Sequence, residues 1–459
     1  MSKLDQITRR EFLRRTSALG LAGMATPWAL NLAAIGEAAA ATTPGDYRAL
    51  VCVFLYGGND YGNTLIPYDQ ASYTAYQSIR QTLAIDRTQL AATALTPVTP
   101  LPGGRQMALA PTLAPLKPLF DAGKLGVMLN IGTLVQPVTL AQYKAGTARL
   151  PPKLFSHNDQ QSVWQSSLPE GATSGWGGRI GDLFLNSNST STFTCINVSG
   201  NAVFMSGKQA VQYQMSPSGA APVNGIKKPL FGSTACSAAL QSLITAPRSH
   251  LIELEQNRIV SRAIAAQGTL SGALSGVSLT TSFDSSNGLA NQLKMVAELI
   301  AARSALGASR QVFFVSVGGF DLHSNLVNLH PGLLTTVANA LNSFYNATVE
   351  LGVADKVTAF TASDFGRTLS SNGDGSDHGW GSYHFVLGGA VKGGDFYGTL
   401  PAVAVNGPDD VGQGRLLPTT AVDQLAATLA TWMGVSDSDM PLVVPNIANY
   451  STRNLGFLT

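Results

Sequence analysis

From Arg48 the chain runs Ala-Leu-Val-Cys-Val-Phe-Leu-Tyr without a polar break and then drops into Gly57-Gly58-Asn59-Asp60. A continuous β-branched and aromatic run stopped by glycines predicts a strand buried on both faces that empties into a tight loop. The signature recurs. Residues 125–131 form a second apolar run, residues 311–317 end in Gly318-Gly319-Phe320-Asp321, and residues 356–362 end in Ser363-Asp364-Phe365-Gly366, with a shorter strand-like stretch at 385–389. Helical patterns cover residues 113–122, 158–165, 251–265, 289–306, 333–351 and 421–433. Strands alternating with helices predict an α/β fold, a three-layer sandwich around a mostly parallel sheet.

Three of the predicted strands end in a loop that carries an aspartate. Ligands of open α/β sheets gather beyond the carboxyl ends of the strands, so Asp60, Asp321 and Asp364 are expected to converge. Any one of them alone would more simply cap a helix or close an Asx turn; the triple occurrence is what points to a site. Residues 186–285 differ in texture, being rich in Ser, Thr, Asn and Gly, and read as a cap or insertion over the sheet.

Composition narrows the function classes. Among 459 residues only 12% are charged, about half the usual share, and Lys plus Arg (29) nearly balance Asp plus Glu (27). No basic block is present, which argues against nucleic-acid binding. Three cysteines, Cys52, Cys195 and Cys236, cannot build a disulfide framework or a zinc ribbon, so any metal would be held by His and carboxylate. Thr8-Arg9-Arg10-Glu11-Phe12-Leu13, an apolar stretch from Ala18 to Ile35 broken by Gly20, Gly23, Pro27 and Asn31, and Ala38-Ala39-Ala40 read as a cleaved twin-arginine signal over residues 1–40. The expected partner is the twin-arginine export machinery, and the expected location is the periplasm or the exterior, with no permanent membrane span. That segment carries five of the basic and three of the acidic residues, so its removal leaves the two signs balanced.

The histidines are few and placed tellingly. Of six, His323 follows Asp321 by two, His378 and His384 lie in Asp377-His378-Gly379-Trp380-Gly381-Ser382-Tyr383-His384, His157 lies in Ser156-His157-Asn158-Asp159, and His330 is nearby. Imidazole and carboxylate are the usual ligands of divalent metals when thiolates are absent. The candidate ligands are Asp60, Asp321, His323, Asp364, Asp377, His378 and His384, for Zn, Mn, Mg or Ca. The candidate catalytic groups are Ser156, at the start of the helix predicted over 158–165, His157 beside it, and Arg367, which could hold an anionic group or pair with a carboxylate. Ser156 reads more simply as a helix N-cap, and Thr64 and Thr133 are weaker nucleophile candidates.

Taken together, the signal, Gly57-Gly58-Asn59-Asp60, Gly318-Gly319-Phe320-Asp321-Leu322-His323, Ser363-Asp364-Phe365-Gly366-Arg367 and Asp377-His378-Gly379-Trp380-Gly381 resemble the exported bacterial family known as domain of unknown function 1501, grouped with the alkaline phosphatase and sulfatase superfamily. The resemblance covers nearly all of the chain after the signal. It implies a central parallel-dominated sheet and metal ligands at strand ends, with Asp60 at the superfamily's first-strand metal position, Asp321 and His323 at its mid-chain pair, Asp364 at its late strand-end Asp and His378 at its final His. Phe365 stands where the superfamily commonly has a His. Neither Cys195 nor Cys236 has the sequence context of a sulfatase formylglycine. The expectation is an exported metal-dependent hydrolase of phosphate or sulfate esters, acting on a small anionic ester or polymer. The competing expectation is a non-catalytic binding or surface-assembly protein that retains the fold. A carbohydrate-active enzyme with paired carboxylates is disfavoured, because glutamates are scarce around the motifs.

Overall fold

The computed structural model describes residues 46–459, so the signal segment lies outside the described residues. Strand β1, Arg48–Leu55, is buried along its length, and its alternate side chains enter two different cores. Val51, Val53 and Leu55 point into one, and Leu50, Cys52 and Phe54 into the other. That is the signature of a sheet covered on both faces. Around β1 lie α1 (Gln70–Arg80), β2 (Leu125–Gly132), α2 (His157–Ser166), α3 (Trp176–Phe184), β3 (Cys195–Asn197), β4 (Tyr213–Gln214), α4 (Thr234–Thr245), α5 (Leu251–Leu274), α6 (Gly288–Ala301), β5 (Arg310–Val317), α7 (Leu326–Glu350), β6 (Val357–Ser363), β7 (Ser382–Gly388), β8 (Phe396–Tyr397), β9 (Thr420–Ala421) and α8 (Val422–Met433). Helices α6 and α7 supply Leu293, Val296, Leu341 and Phe344 to the first core, while α3 and α8 supply Ile180, Phe184, Leu425 and Leu429 to the second. The molecule is a three-layer α/β sandwich, as the alternation of strands and helices predicts.

The nine-stranded sheet has the order β8-β2-β7-β6-β1-β5-β3-β4, with β9 also pairing β2. Strands β5 and β6 flank β1 in parallel register, Val51 lying beside Phe313 and Ala359. Among the described strands of this sheet β7 alone runs antiparallel, to β6 and to β2. A parallel return usually runs through a crossover helix, whereas residues 364–381 form a loop with no helix and bring the chain straight back. The carboxyl ends of β1, β5 and β6 therefore share one edge, and that edge carries the motif loops.

Two sequence expectations change. Helix α7 starts at Leu326 rather than Leu333, and Pro331 lies inside it. The segment expected as a cap over 186–285 begins as sheet: β3 pairs with β5, and β4 pairs with β3. Short strands are hard to recognise in a Ser- and Thr-rich stretch because three residues give no measurable alternation. The excursion proper is α4 and the first half of α5, where few side chains are buried. No helix among the described residues is long and apolar enough to cross a membrane.

Two histidines are buried within the packed layers. His330 on α7 donates from Nε2 to Asn59 Oδ1 (3.0 Å), and His384 on β7 sits edge-on to Trp164 with Nε2 unpartnered among the described residues. Burial disfavours the charged form and pushes their pKa values down to about 4 and about 3. With folded values below the unfolded 6.5, both contribute stability that is complete above pH 6.5 and is lost as the pH falls from there towards 4. The melting temperature is therefore expected to fall steeply below pH 6.5. A His384→Phe variant, which has no proton to take up on unfolding, is expected to show a shallower fall in scans from pH 8 to 4; an unchanged slope contradicts the assignment.

Candidate metal centre

The site is built where three loops leave the sheet edge. Beyond β1, Gly57 and Gly58 take φ of 116° and 82°, and a side chain at Gly57 would collide with the backbone of Asp321, so glycine lets the β1 and β5 loops touch. The Gly57 N–H donates to Asp364 Oδ2 (3.2 Å) and its carbonyl accepts from Arg367 (3.0 Å), which fastens the β1 loop to the β6 loop. Helix α2 then directs His157 and, one turn on, Gln161 towards the same carboxylate: His157 Nδ1 and Gln161 Nε2 lie 2.6 Å and 2.8 Å from Asp364 Oδ2. Asp364 is fully buried, and its Oδ1 has no partner among the described residues.

Three imidazoles meet here in one orientation. Each Nδ1 faces a group that only accepts: His157 the Asp364 carboxylate, His323 the Asp377 carboxylate (3.1 Å) and His378 the Phe155 carbonyl (2.7 Å). These partners assign the proton to Nδ1 in the neutral ring, which leaves Nε2 with a bare lone pair. The Nε2 of His378 nevertheless faces the other two, 3.1 Å from that of His157 and 2.9 Å from that of His323. Asp321 completes the group, with Oδ1 3.1 Å from His323 Nε2 and 3.3 Å from His378 Nε2, and Oδ2 3.4 Å from His157 Nε2. Acceptors this close repel unless a proton or a cation lies between them; His157, Asp321 and His378 offer ligand atoms that all lie within 4.8 Å of one another, and His323 adjoins the group through His378 and Asp321. A tetrahedral site with bonds of about 2.0–2.1 Å has edges of about 3.3–3.4 Å, close to the separations His157–Asp321 (3.4 Å), His157–His378 (3.1 Å) and His378–Asp321 (3.3 Å). The ring of Phe365, wholly buried, packs under both His157 (4.8 Å) and His378 (4.7 Å) and closes the floor with hydrocarbon.

The electrostatics agree with this division of labour. The hydrogen bond to Asp364 raises the His157 pKa, whereas burial lowers that of His378. Burial raises the Asp321 carboxyl, but the Arg367 hydrogen bond and charge outweigh it and hold the group below the usual range. Burial likewise opposes the lowering of Asp377, which its hydrogen bonds from Asn372 and His323 achieve.

The other residues singled out from sequence have different surroundings. Asp60 does not join Asp321 and Asp364: it is buried and paired with Arg80, which replaces the expected role as a ligand with a structural ion pair. His384 lies in the second core beside Trp164. Asp364 and Asp377 face the outer nitrogens of the histidines rather than the shared centre, positions from which carboxylates orient metal-binding rings. His157, read as catalytic, has its Nε2 in the cluster beside Asp321 and His378. Arg367 has its donors occupied by Ser376, Gly57 and Asp321, so it neutralises and orients Asp321 rather than waiting for an anion. Ser156 sits at the N-terminus of α2 with its hydroxyl on Asp159 Oδ2 (2.8 Å). Sequence reading missed Gln161, which the i,i+4 spacing from His157 would have revealed, and Phe155, whose backbone carbonyl leaves no trace in a sequence pattern.

If Asp364 orients His157, Asp364→Asn keeps the shape but loses the charge that enforces the Nδ1–H tautomer. Zn²⁺ affinity is expected to fall about 10–100-fold in a competition titration, with little change in fold by circular dichroism. Unchanged affinity removes Asp364 from the site.

A family model described as Protein of unknown function (DUF1501) matches residues 47–444. No curated protein matches the sequence. Among solved structures, i-CgsB in complex with k-i-k-neocarrahexaose aligns at 10% identity and a TM-score of 0.36 over 86% of this chain and 74% of that one. A sulfatase from Pseudoalteromonas sp. aligns at 10% identity and 0.35 over 89% and 71%, and the lipoteichoic acid synthase LtaP from Listeria monocytogenes at 9% and 0.33 over 90% and 81%.

Proposed function

The chain belongs to the family described as Protein of unknown function (DUF1501), and from that premise we propose that it is an exported, metal-dependent hydrolase of phosphate or sulfate esters. One observation carries the reading: His157, Asp321 and His378 bring ligand atoms within 4.8 Å of one another, both imidazoles anchored at Nδ1, with His323 Nε2 adjoining 2.9 Å from His378. His157, Asp321, His323 and His378 would hold a divalent cation, Zn²⁺ suiting the nitrogen-rich set best. When bound, the ion supplies Lewis-acid charge to the oxygens of an ester. Arg367 keeps Asp321 ionised and aimed at the centre, and Phe365 excludes water from beneath the rings. Ser156, hydrogen-bonded to Asp159 and preceding His157, is the candidate nucleophile. Residues 1–40 supply the proposed twin-arginine export signal.

Chromogenic phosphate monoesters, diesters and sulfate esters, each assayed with and without chelator, test the reading. At least one is expected to be turned over, with activity lost on chelation and in a His378→Ala variant. Ser156→Ala distinguishes the nucleophile: a loss beyond about a hundredfold with metal retained assigns the serine, and retained activity assigns water. A second reading, a metal-holding protein without catalysis, is favoured by one observation: the Ser156 hydroxyl is directed at Asp159 and touches no imidazole. Metal uptake without turnover of any ester decides for it.

A further inference from the structure

Residues 398–419 carry almost no regular secondary structure, yet the segment is firmly built. The buried Asp410 carboxylate accepts backbone N–H groups from Asn406 (2.7 Å), Gly412 (2.6 Å) and Gly414 (2.9 Å). Two further backbone bonds, Leu369 N–H to Gly414 (3.0 Å) and Gly381 N–H to Leu416 (2.9 Å), clamp it to the β6–β7 connection. The residue this framework presents is Arg415. Its Nε donates to the backbone carbonyl of His378 (2.8 Å), and its guanidinium lies over the Phe155 ring, 4.8 Å from the centroid. Phe155 thus serves two ends: its carbonyl anchors His378 Nδ1 and its ring carries Arg415. It does so at φ 70°, a left-handed conformation that a bulky residue seldom adopts and that surroundings must enforce.

Held at Nε and by the ring face, the guanidinium has no carboxylate partner and no hydrogen bond to either Nη among the described residues. The contrast with its neighbours is sharp: Arg80 and Arg367, the other arginines of this edge, are spent on Asp60 and Asp321. A partly buried arginine whose two outer donors are fixed in orientation and unpaired is arranged for a planar, two-point contact with an oxyanion. The geometry points to Arg415 as an anion-binding residue at the rim of the histidine cluster, its Nη pair taking the oxygens of a tetrahedral oxyanion, phosphate or sulfate, carried by the ligand. This rests on the metal reading above, since the ligand is placed by the cluster and the arginine together. A guanidinium that merely braced the His378 carbonyl would need only Nε.

The test is calorimetry in two stages, Zn²⁺ into metal-free full-length protein and then inorganic phosphate into the protein carrying one equivalent of Zn²⁺, for wild type, Arg415→Gln, Arg415→Lys and Phe155→Leu. Arg415→Gln is expected to weaken phosphate about 10–100-fold while Zn²⁺ affinity stays within about threefold, with Arg415→Lys recovering part of the loss through charge alone. Phe155→Leu keeps the carbonyl but removes the ring, and is expected to weaken phosphate several-fold, a measurement that stands if the Gln variant does not fold. Equal phosphate affinity in wild type and Arg415→Gln overturns the inference, as does wild-type zinc protein that binds no phosphate. A parallel fall in Zn²⁺ affinity assigns Arg415 to bracing His378 and also overturns it. Failure of wild type to bind Zn²⁺ in the first stage brings down the metal reading itself, and this inference with it.

Discussion

Replacing His378 by alanine is expected to lower Zn²⁺ affinity by about a hundredfold to a thousandfold. His378 is the middle member of the cluster, its Nε2 lying within 3.3 Å of donor atoms on His157, His323 and Asp321. Structural zinc sites of four ligands are worth roughly 10–16 kcal/mol, so one ligand accounts for about 2.5–4 kcal/mol, the origin of the stated range. The same substitution relieves repulsion in the metal-free protein, because His157 and His323 no longer face a third lone pair. The melting temperature without metal is therefore expected to hold or rise slightly, while the increment on adding Zn²⁺ disappears. A variant that melts lower without metal yet binds Zn²⁺ as the wild type does would make His378 a packing residue.

The second large effect is expected at the Asp60–Arg80 pair. Both side chains are almost fully buried, and Arg80 also reaches the Thr368 and Leu369 carbonyls, so the pair ties α1 and the β1 loop to the β6 loop. Removing one partner leaves a buried charge without compensation, a loss of about 3–5 kcal/mol. Asp60→Ala is expected to lower the melting temperature by roughly 3–6 °C. The double variant Asp60→Leu/Arg80→Leu, which buries no charge, is expected to recover much of it. In each folded variant Zn²⁺ affinity is expected to stay within about threefold of wild type. Normal stability with zinc binding lost would instead restore Asp60 as a ligand.

These two sites show how much of the molecule was legible beforehand. Strand β1 could be read because a strand buried on both faces must be continuously apolar, and its neighbours β5 and β6 carry the same pattern. Ligand loops gather at carboxyl ends, which predicts convergence at one edge, and Asp321, His323, Asp364 and His378 do come together there. What sequence could not distinguish was the role of each carboxylate. Asp60 and Asp364 both follow buried strands, and only three-dimensional neighbours separate them: an arginine twenty residues on in α1 for the first, an imidazole from α2 for the second. Arg367 and Arg415 present the same problem in reverse. Arg367 stands in the most conspicuous motif and is consumed by Asp321, whereas Arg415 lies in a glycine-rich stretch with no periodicity and keeps its outer donors free. Phe365 explains itself only in the fold, where the rings of His157 and His378 rest on it.

The central claim is that His157, Asp321 and His378, with His323 beside them, take up a divalent cation. Calorimetric titration of metal-free, full-length protein with Zn²⁺ at pH 7 and again at pH 5 tests it most directly. The account predicts one equivalent bound with high affinity at pH 7, a proton released where Nε2 had been protonated, and markedly weaker binding at pH 5 as protons compete for the same nitrogens. Absence of saturable binding at pH 7, or binding that His378→Ala leaves unchanged, would contradict it.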